Sequence, residues 1–461
     1  MRFCEADNLK SYSLNNTDVS ITEYYRCPDG LADLGLEGDL NELKGFFRFG
    51  PEAVCYGQAV GTTRPYVNGN LFDASNAVHV GQNKVSLPFD VDQVLNNLRY
   101  ERYVTSRDSW LDAEWTKDVY YRLRPFLPVA LRKHLQRVYL RGWQSRTFPS
   151  WPVDRSVDVL SEELLALSLR AAKRQRLPFI WFWPEGHKAC AILTHDIETK
   201  AGRDLTTKLM DVDEAFGFKA SIQVVPEKRY TVSQGFLDSI RSRGFEINVH
   251  GLDHDGNLFQ DRATFIERAK RINEYAAVFG ARGFRSPTMY RNVDWLRDLN
   301  FSYDMSVPNV ARLEPQQGGC CTVMPYFLPG GMLELPLTTT QDYTIFNVLN
   351  DYSTALWDQQ IDVIVRGHGL VSLIVHPDYV FSSRAQSVYR QLLEGVCALQ
   401  SNAGVWVALP GEVDQWWRQR HAMKLVASGN EWTIEGPGSE RARVAYACLD
   451  KDRLVYEVPG R

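Results

Sequence analysis

Between residues 188 and 420, short apolar runs alternate with stretches of helical periodicity. The runs are Ala189–Leu193, Ala220–Val224, Phe245–Val249, Gly283–Arg285, Tyr303–Val307, Met332–Leu337, Val371–Val375 and Val405–Leu409. Helical patterns over Leu205–Phe216, Ser233–Arg243 and Asp261–Phe279 lie between several of them. Strands separated by helices predict parallel pairing through crossovers. Seven or eight such units, in a stretch close to the roughly 250 residues of a (β/α) barrel, predict that architecture. The flanks read differently. Residues 1–150, with short alternating runs broken by Gly and Pro, predict an irregular α+β extension that acts as a lid or docking region. Residues 151–187 predict a helical linker, helical over Val159–Arg174. In 421–461, apolar alternation is broken at Gly-Asn, Gly-Pro-Gly-Ser and Asp-Lys-Asp, which predicts a small antiparallel β appendage leaning on the barrel.

Composition narrows the function classes. The 461 residues carry 52 Lys and Arg against 56 Asp and Glu, a net charge of −4. That balance argues against a nucleic-acid binder, which would carry a basic excess. No apolar run reaches the roughly 18 residues of a membrane span. The N-terminal stretch lacks a basic start followed by an apolar core, so a cytoplasmic chain without a secretory signal is expected. The eight cysteines form no CxxC pair and read as reduced thiols, including the adjacent Cys320 and Cys321. One charge run stands out. From Val119 to Val153 there are seven basic residues (Arg122, Arg124, Arg132, Lys133, Arg137, Arg141, Arg146) and no acidic one. It reads as a solvated helix face, with peripheral contact to anionic lipid or an acidic glycan through the 122–146 region as the second reading. Oligomeric state is not legible.

A barrel carries its chemistry at the carboxyl ends of its strands. Five of the nine histidines lie between 188 and 420, and reactive residues follow the apolar runs there. His250-Gly-Leu-Asp-His254 follows the third run. If the chain turns helical there, the two imidazoles lie about 5–6 Å apart on one face and can share a divalent ion. Asp253 and Asp255 stand nearby to orient them. In Thr194-His195-Asp196-Ile197-Glu198, positions i and i+2 of an extended chain project to one side, so Asp196 and Glu198 both face the barrel mouth. Two carboxylates in one site need separate tasks. One joins the histidines as a metal ligand and the other acts as general base on a water. Arg285, in Gly-Phe-Arg-Ser-Pro, supplies a cation that keeps Asp196 ionised. His376, in Leu-Ile-Val-His-Pro, is placed to act as general acid, with Asp304 to orient it and the Thr288 N–H to help stabilise an oxyanion.

Taken together, Thr-His-Asp-Ile-Glu, His-Gly-Leu-Asp-His, Arg-Ser-Pro, Tyr-Asp-Met-Ser and Leu-Ile-Val-His occur in the order seen in the polysaccharide deacetylase family, the NodB-homology domain or carbohydrate esterase family 4, which residues 188–420 resemble. The resemblance implies a distorted (β/α)7 barrel and a divalent metal, zinc first, with Co2+, Mn2+ or Ni2+ as substitutes. It implies hydrolysis of an acetyl group from a sugar. By resemblance Asp196 is the base, Glu198, His250 and His254 are metal ligands, Arg285 supports the base and His376 is the acid. The chain departs from the family pattern in three places. The second acid is a Glu displaced by one position, Gly251 stands where Ser or Thr is usual, and Ser286 replaces the first Pro of Arg-Pro-Pro. The implied function is a metal-dependent deacetylase of an N-acetylated sugar in a bacterial surface-glycan or exopolysaccharide precursor, lipid- or nucleotide-linked. The alternatives are an amidohydrolase on the same barrel, acting on a peptidoglycan fragment or cyclic ureide, and a non-catalytic glycan-binding protein. No GxSxG elbow or cysteine signature supports a covalent hydrolase.

Overall fold

The computed structural model describes residues 19–28, 31–104, 140, 142–429, 431–451 and 453–459. Arg122, Arg124, Arg132, Lys133, Arg137 and Arg141 of the basic run lie outside the described residues; Arg146 donates to the Gln317 side chain. The centre of the fold is a parallel sheet curled into a distorted (β/α)7 barrel. Its strands are β1 (Ala189–Ile197), β2 (Ser221–Val224), β3 (Glu246–His250), β4 (Gly283–Arg285), β5 (Tyr303–Asp304), β6 (Leu333–Glu334) and β7 (Leu370–Val375). Each pairs in parallel with the next from β1 to β6, and β7 returns to pair in parallel with β1. Val405–Ala408 lies beside the first half of β1, on the edge whose second half takes β2. Tyr326–Phe327 flanks β6 in antiparallel sense.

Between β6 and β7 the ring is joined by side chains. Thr338 Oγ1 donates to Leu370 O at 2.6 Å and accepts from Ser372 N at 2.9 Å, and Thr339 Oγ1 donates to Ser372 O at 2.7 Å. These hydroxyls satisfy strand groups that a neighbouring strand would otherwise pair.

Burial follows from the strand period. All nine residues of β1 are buried, as expected for a strand covered on both faces. Ala189, Ala191, Leu193 and Ile197 pack outward on Leu209, Phe236 and other helix residues. Cys190 and Ile192 point inward, into a second core that continues into the flanking regions. The crossover helices start at side-chain caps: Thr199 accepts from Gly202 N, Ser233 from Phe236 N and Asp261 from Thr264 N.

The second core ties the flanks to the barrel. The linker holds the helix Ser156–Ala171, but it also supplies the strand Arg176–Ile180, which pairs antiparallel with Val444–Asp450. That C-terminal strand then pairs with Arg453–Glu457. So a strand from the linker completes the C-terminal β structure. Trp181, Trp183 and Trp416 are fully buried at this junction, and the Trp416 Nε1 donates to Phe182 O at 2.8 Å. Cys320 and Cys321 are buried free thiols. Among the described residues no helix is long and apolar enough to cross a membrane.

Candidate metal centre and active site

Strand alternation places the first two acids. On β1, Thr194 and Asp196 face the barrel interior, and Glu198 continues the same side just past the strand end. His195, between them, faces away and contacts Asp213. Asp196 is about 1% exposed. Its Oδ1 accepts from Arg285 Nη1 at 2.7 Å, and its Oδ2 has no hydrogen-bond partner. Arg285 is itself fixed, by Nη1 to Thr194 Oγ1 at 2.8 Å and Nε to Met305 O at 3.1 Å. Burial pushes the Asp196 carboxyl up, but Arg285, His250 and His376 outweigh it and hold it below the usual carboxylate range.

His250 ends β3. Its Nδ1 donates to Arg285 O at 3.1 Å, since a carbonyl can only accept, which leaves Nε2 with a lone pair, buried and unpartnered. That atom lies 3.7 Å from Asp196 Oδ2 and 3.7 Å from Glu198 Oε1. His254 Nε2 lies 2.7 Å from Glu198 Oε1, and the two imidazole rings are 5.0 Å apart. Glu198, His250 and His254 each offer one atom within 4.8 Å of the others. Burial raises the Glu198 carboxyl, but His254 and the neighbouring imidazoles hold it well below its ordinary value.

The two histidines meet by a different route from the one the sequence suggested. Residues 251–260 are not helical. The chain turns back through Gly251 at φ 63° and His254 at φ 54°, both left-handed. A side chain at Gly251 would lie 2.3 Å from Pro287 Cγ, so the close approach of the β4 loop requires glycine there. Asp253 and Asp255 turn outward, to Lys228 at 2.6 Å and Arg268 at 2.7 Å, and do not orient the imidazoles.

His376 follows β7. Its Nε2 lies 3.6 Å from Glu198 Oε1 and 4.0 Å from Asp196 Oδ2. The expected orienting role of Asp304 is not found. Asp304 accepts from Ser306 Oγ at 2.7 Å and Ser306 N at 3.1 Å, and shares a buried niche with Glu334. Burial pushes both acids up, Glu334 the further. His376 is held instead by Asp342, whose Oδ1 accepts from Nδ1 at 2.6 Å and Oδ2 from the His376 N–H at 2.8 Å. Burial disfavours the charged imidazole, but Asp342 and Glu198 overcome it and raise its pKa well above the ordinary value. Asp342 is the residue the sequence reading missed. Its signal was faint: it is the only charged residue between Glu334 and Asp351.

The residues fit a metal. A buried unpartnered imidazole nitrogen, a second imidazole and a carboxylate form the nitrogen and oxygen donor set of a catalytic divalent-cation site. His250 also has the Nδ1–H bond to a carbonyl that commonly fixes a ligand's tautomer.

No protein-family model and no curated protein matches the chain. Solved structures do. A Mycobacterium smegmatis protein described as a polysaccharide deacetylase aligns at 19% identity over 55% of this chain and 98% of its own, with a TM-score of 0.43. The Puue allantoinase aligns at 14% over 51% and 92%, with a TM-score of 0.40. The peptidoglycan deacetylase PdaC from Bacillus subtilis aligns at 12% over 51% and 94%, with a TM-score of 0.33. The chain is thus similar, over about half its length, to solved structures that include polysaccharide and peptidoglycan deacetylases.

Proposed function

We propose that the protein is a metal-dependent hydrolase that removes the acetyl group from an N-acetylated sugar. One observation carries this reading. Asp196 Oδ2, Glu198 Oε1, His250 Nε2 and His376 Nε2, at the ends of β1, β3 and β7, converge within about 4 Å steps on one spot, and Asp196 Oδ2 and His250 Nε2 are buried there with no hydrogen-bond partner.

Glu198, His250 and His254 would hold the divalent cation, zinc in the first instance. When bound, the cation supplies Lewis-acid polarisation of the amide carbonyl and acidifies water. The protein's own groups do the rest. Arg285 pins one oxygen of Asp196 and keeps the carboxylate ionised, so the free Oδ2 accepts a proton from an attacking water. Asp342 holds His376 by its Nδ1–H and aims Nε2 at the same spot, from which its proton passes to the departing nitrogen. The Thr288 N–H, on the turn after β4, stands as a donor to the oxyanion. Base and acid, near the end of β1 and just past β7, lie 4.0 Å apart, and each is fixed by a partner that does not react.

We take the substrate to be a carbohydrate precursor, lipid- or nucleotide-linked, met in the cytoplasm. The test is acetate release by the purified chain from N-acetylglucosamine oligomers, with peptidoglycan fragments and a cyclic ureide as comparison substrates, after loading with Zn2+ or Co2+. Acetate release lost to a chelator and restored by metal is the expected result. Turnover that survives Asp196→Asn or His250→Ala, or hydrolysis of the ureide alone, overturns the reading.

A further inference from the structure

The turn after β4 is strained. Thr288 and Met289 adopt φ of 56° and 55°, the left-handed region that non-glycine residues avoid. Two such residues in succession persist only where the surroundings enforce them. One face of the turn is set by Pro287 against Gly251, the residue after His250. The other is set by Arg291, which is fully buried. Its Nη1 donates to Met289 O at 2.8 Å, and its backbone N–H donates to Gln316 Oε1 at 2.9 Å.

Arg291 is in turn held from far away in the chain. The Glu101 carboxylate accepts from Arg291 Nε at 2.6 Å and also from Nη2, a forked pair. The same carboxylate accepts from Gly319 N at 2.5 Å, and Tyr103 OH donates to Gly319 O at 2.7 Å. Thus one buried acid of the N-terminal region fastens both the turn after β4 and the 316–319 loop. A side chain at Gly318 would lie 2.4 Å from Glu101 Oε1, so that loop is drawn tightly over the acid.

We propose that Glu101 is a positioning residue for the catalytic mouth: through Arg291 it clamps the strained Thr288–Met289 turn, and so makes the N-terminal region part of the active site's scaffold. This rests on the reading of the site as a hydrolase for its kinetic consequence, though not for the clamp itself. Without the carboxylate, the Arg291 guanidinium loses its fork, the hold on Met289 O relaxes and the turn escapes its left-handed conformation. Glu198, His250 and His254 follow or end β1 and β3, outside residues 288–289, and with Pro287 still seated on Gly251 they keep their places.

The full chain tests this in two arms, with Glu101→Gln, Glu101→Asp and Arg291→Lys. In hydrogen exchange read by mass spectrometry, Glu101→Gln raises the exchange rate of peptides covering 286–292 and 316–319 by tenfold or more, and leaves peptides of β1 and β3 at the wild-type rate. In the kinetic arm, kcat for acetate release falls at least tenfold, KM stays within twofold and zinc content is unchanged. Glu101→Asp lies between Glu101→Gln and wild type. Should Glu101→Gln fail to fold, Arg291→Lys, which keeps the charge and loses the fork, gives the same pattern. Unchanged exchange at 286–292, or acceleration spread equally over β1, overturns the clamp. A wild-type chain that releases no acetate sinks the hydrolase reading and leaves the exchange arm to decide the clamp alone.

Discussion

The inner and outer faces of adjoining strands carry the same pair of side chains to opposite ends. On the outer face, His195 Nε2 meets Asp213 Oδ2 at 2.7 Å; on the inner face, His376 Nδ1 meets Asp342 Oδ1 at 2.6 Å. The two histidines are neighbours across the ladder, because His195 is in register with Val375, one residue before His376. Both are buried beside a buried acid. The second ring nitrogen separates them. That of His195 lies 3.3 Å from Val375 O, and Asp213 accepts in addition from Tyr389 OH. That of His376 faces two carboxylates at 3.6 and 4.0 Å, beyond hydrogen-bond reach. A polar pair whose hydrogen bonds are complete is structural; one that leaves a buried atom facing an open spot is equipped to act. The same distinction marks Asp196 Oδ2 and His250 Nε2.

The contrast is broken most severely on the inner face. Asp196→Asn removes the base while keeping the Arg285 contact, so kcat/KM for acetate release is expected to fall about 10³-fold or more. Zinc content by elemental analysis should be unchanged, whereas His250→Ala should lose both metal and turnover. Next comes His376→Ala, with a loss in kcat of about 10²- to 10³-fold, within the range of general acid catalysis. Asp342→Asn keeps the shape and leaves His376 without its anionic partner; a fall in kcat of about 10- to 100-fold is expected, as for groups that orient a reacting residue. An Asp342→Asn variant as active as wild type would mean that the inner pair is as structural as the outer one.

What the sequence disclosed follows from the reach of local rules. The period of two in an extended chain places Asp196 and Glu198 together, and the apolar runs locate the strand ends because strands covered on both faces need apolar residues throughout. The structure brings the His250 and His254 rings within 5.0 Å of each other, but not by the helix that the spacing suggests. A helix would bring them together by its own geometry; here a loop does so through Gly251 and its contact with Pro287, a tertiary fact with no local signature. Asp342 and Glu101 were out of reach for the same cause. Asp342 acts on a histidine at the end of the next strand, 34 positions on, and Glu101 on an arginine 190 positions away, and neither sits in a spacing that implies its partner. Asp304 shows the converse error. It lies at a strand end where barrel chemistry belongs, yet its carboxylate turns to Ser306 and Glu334. Likewise the C-terminal strands were legible as a hairpin pattern, but not the strand from 176–180 that completes their sheet, since antiparallel pairing across the whole chain leaves no trace in either segment.

On the outer face, the expectation reverses. Asp213→Asn leaves Tyr389 OH and His195 with a neutral partner in a buried niche, and should cost about 2 kcal/mol of stability, the range for a buried hydrogen bond to a charged group. Thermal unfolding should shift down by several degrees. The kinetics of acetate release at a temperature where the variant is folded should match wild type within about threefold. A loss of kcat comparable to that of Asp342→Asn, with zinc retained, would show that the two faces are coupled through β1 and β7.

The smallest effect belongs to the seam between β6 and β7, where side chains stand in for a backbone ladder. Thr339→Val keeps the shape and removes one hydroxyl, leaving Ser372 O without that donor. The neighbouring Thr338 hydroxyl still binds Leu370 O and Ser372 N, so the seam keeps two of its three bonds. The cost should be about 1 kcal/mol, that of one neutral hydrogen bond, read as a small fall in denaturation midpoint. Because β7 carries His376 just beyond its end, the seam also bears on the inner face. His376 is, however, anchored twice by Asp342, through its ring and through its own N–H. That double anchor should insulate it, and kcat should change by less than about twofold. A larger fall in kcat than in stability would place the seam, and not Asp342 alone, among the elements that aim the acid.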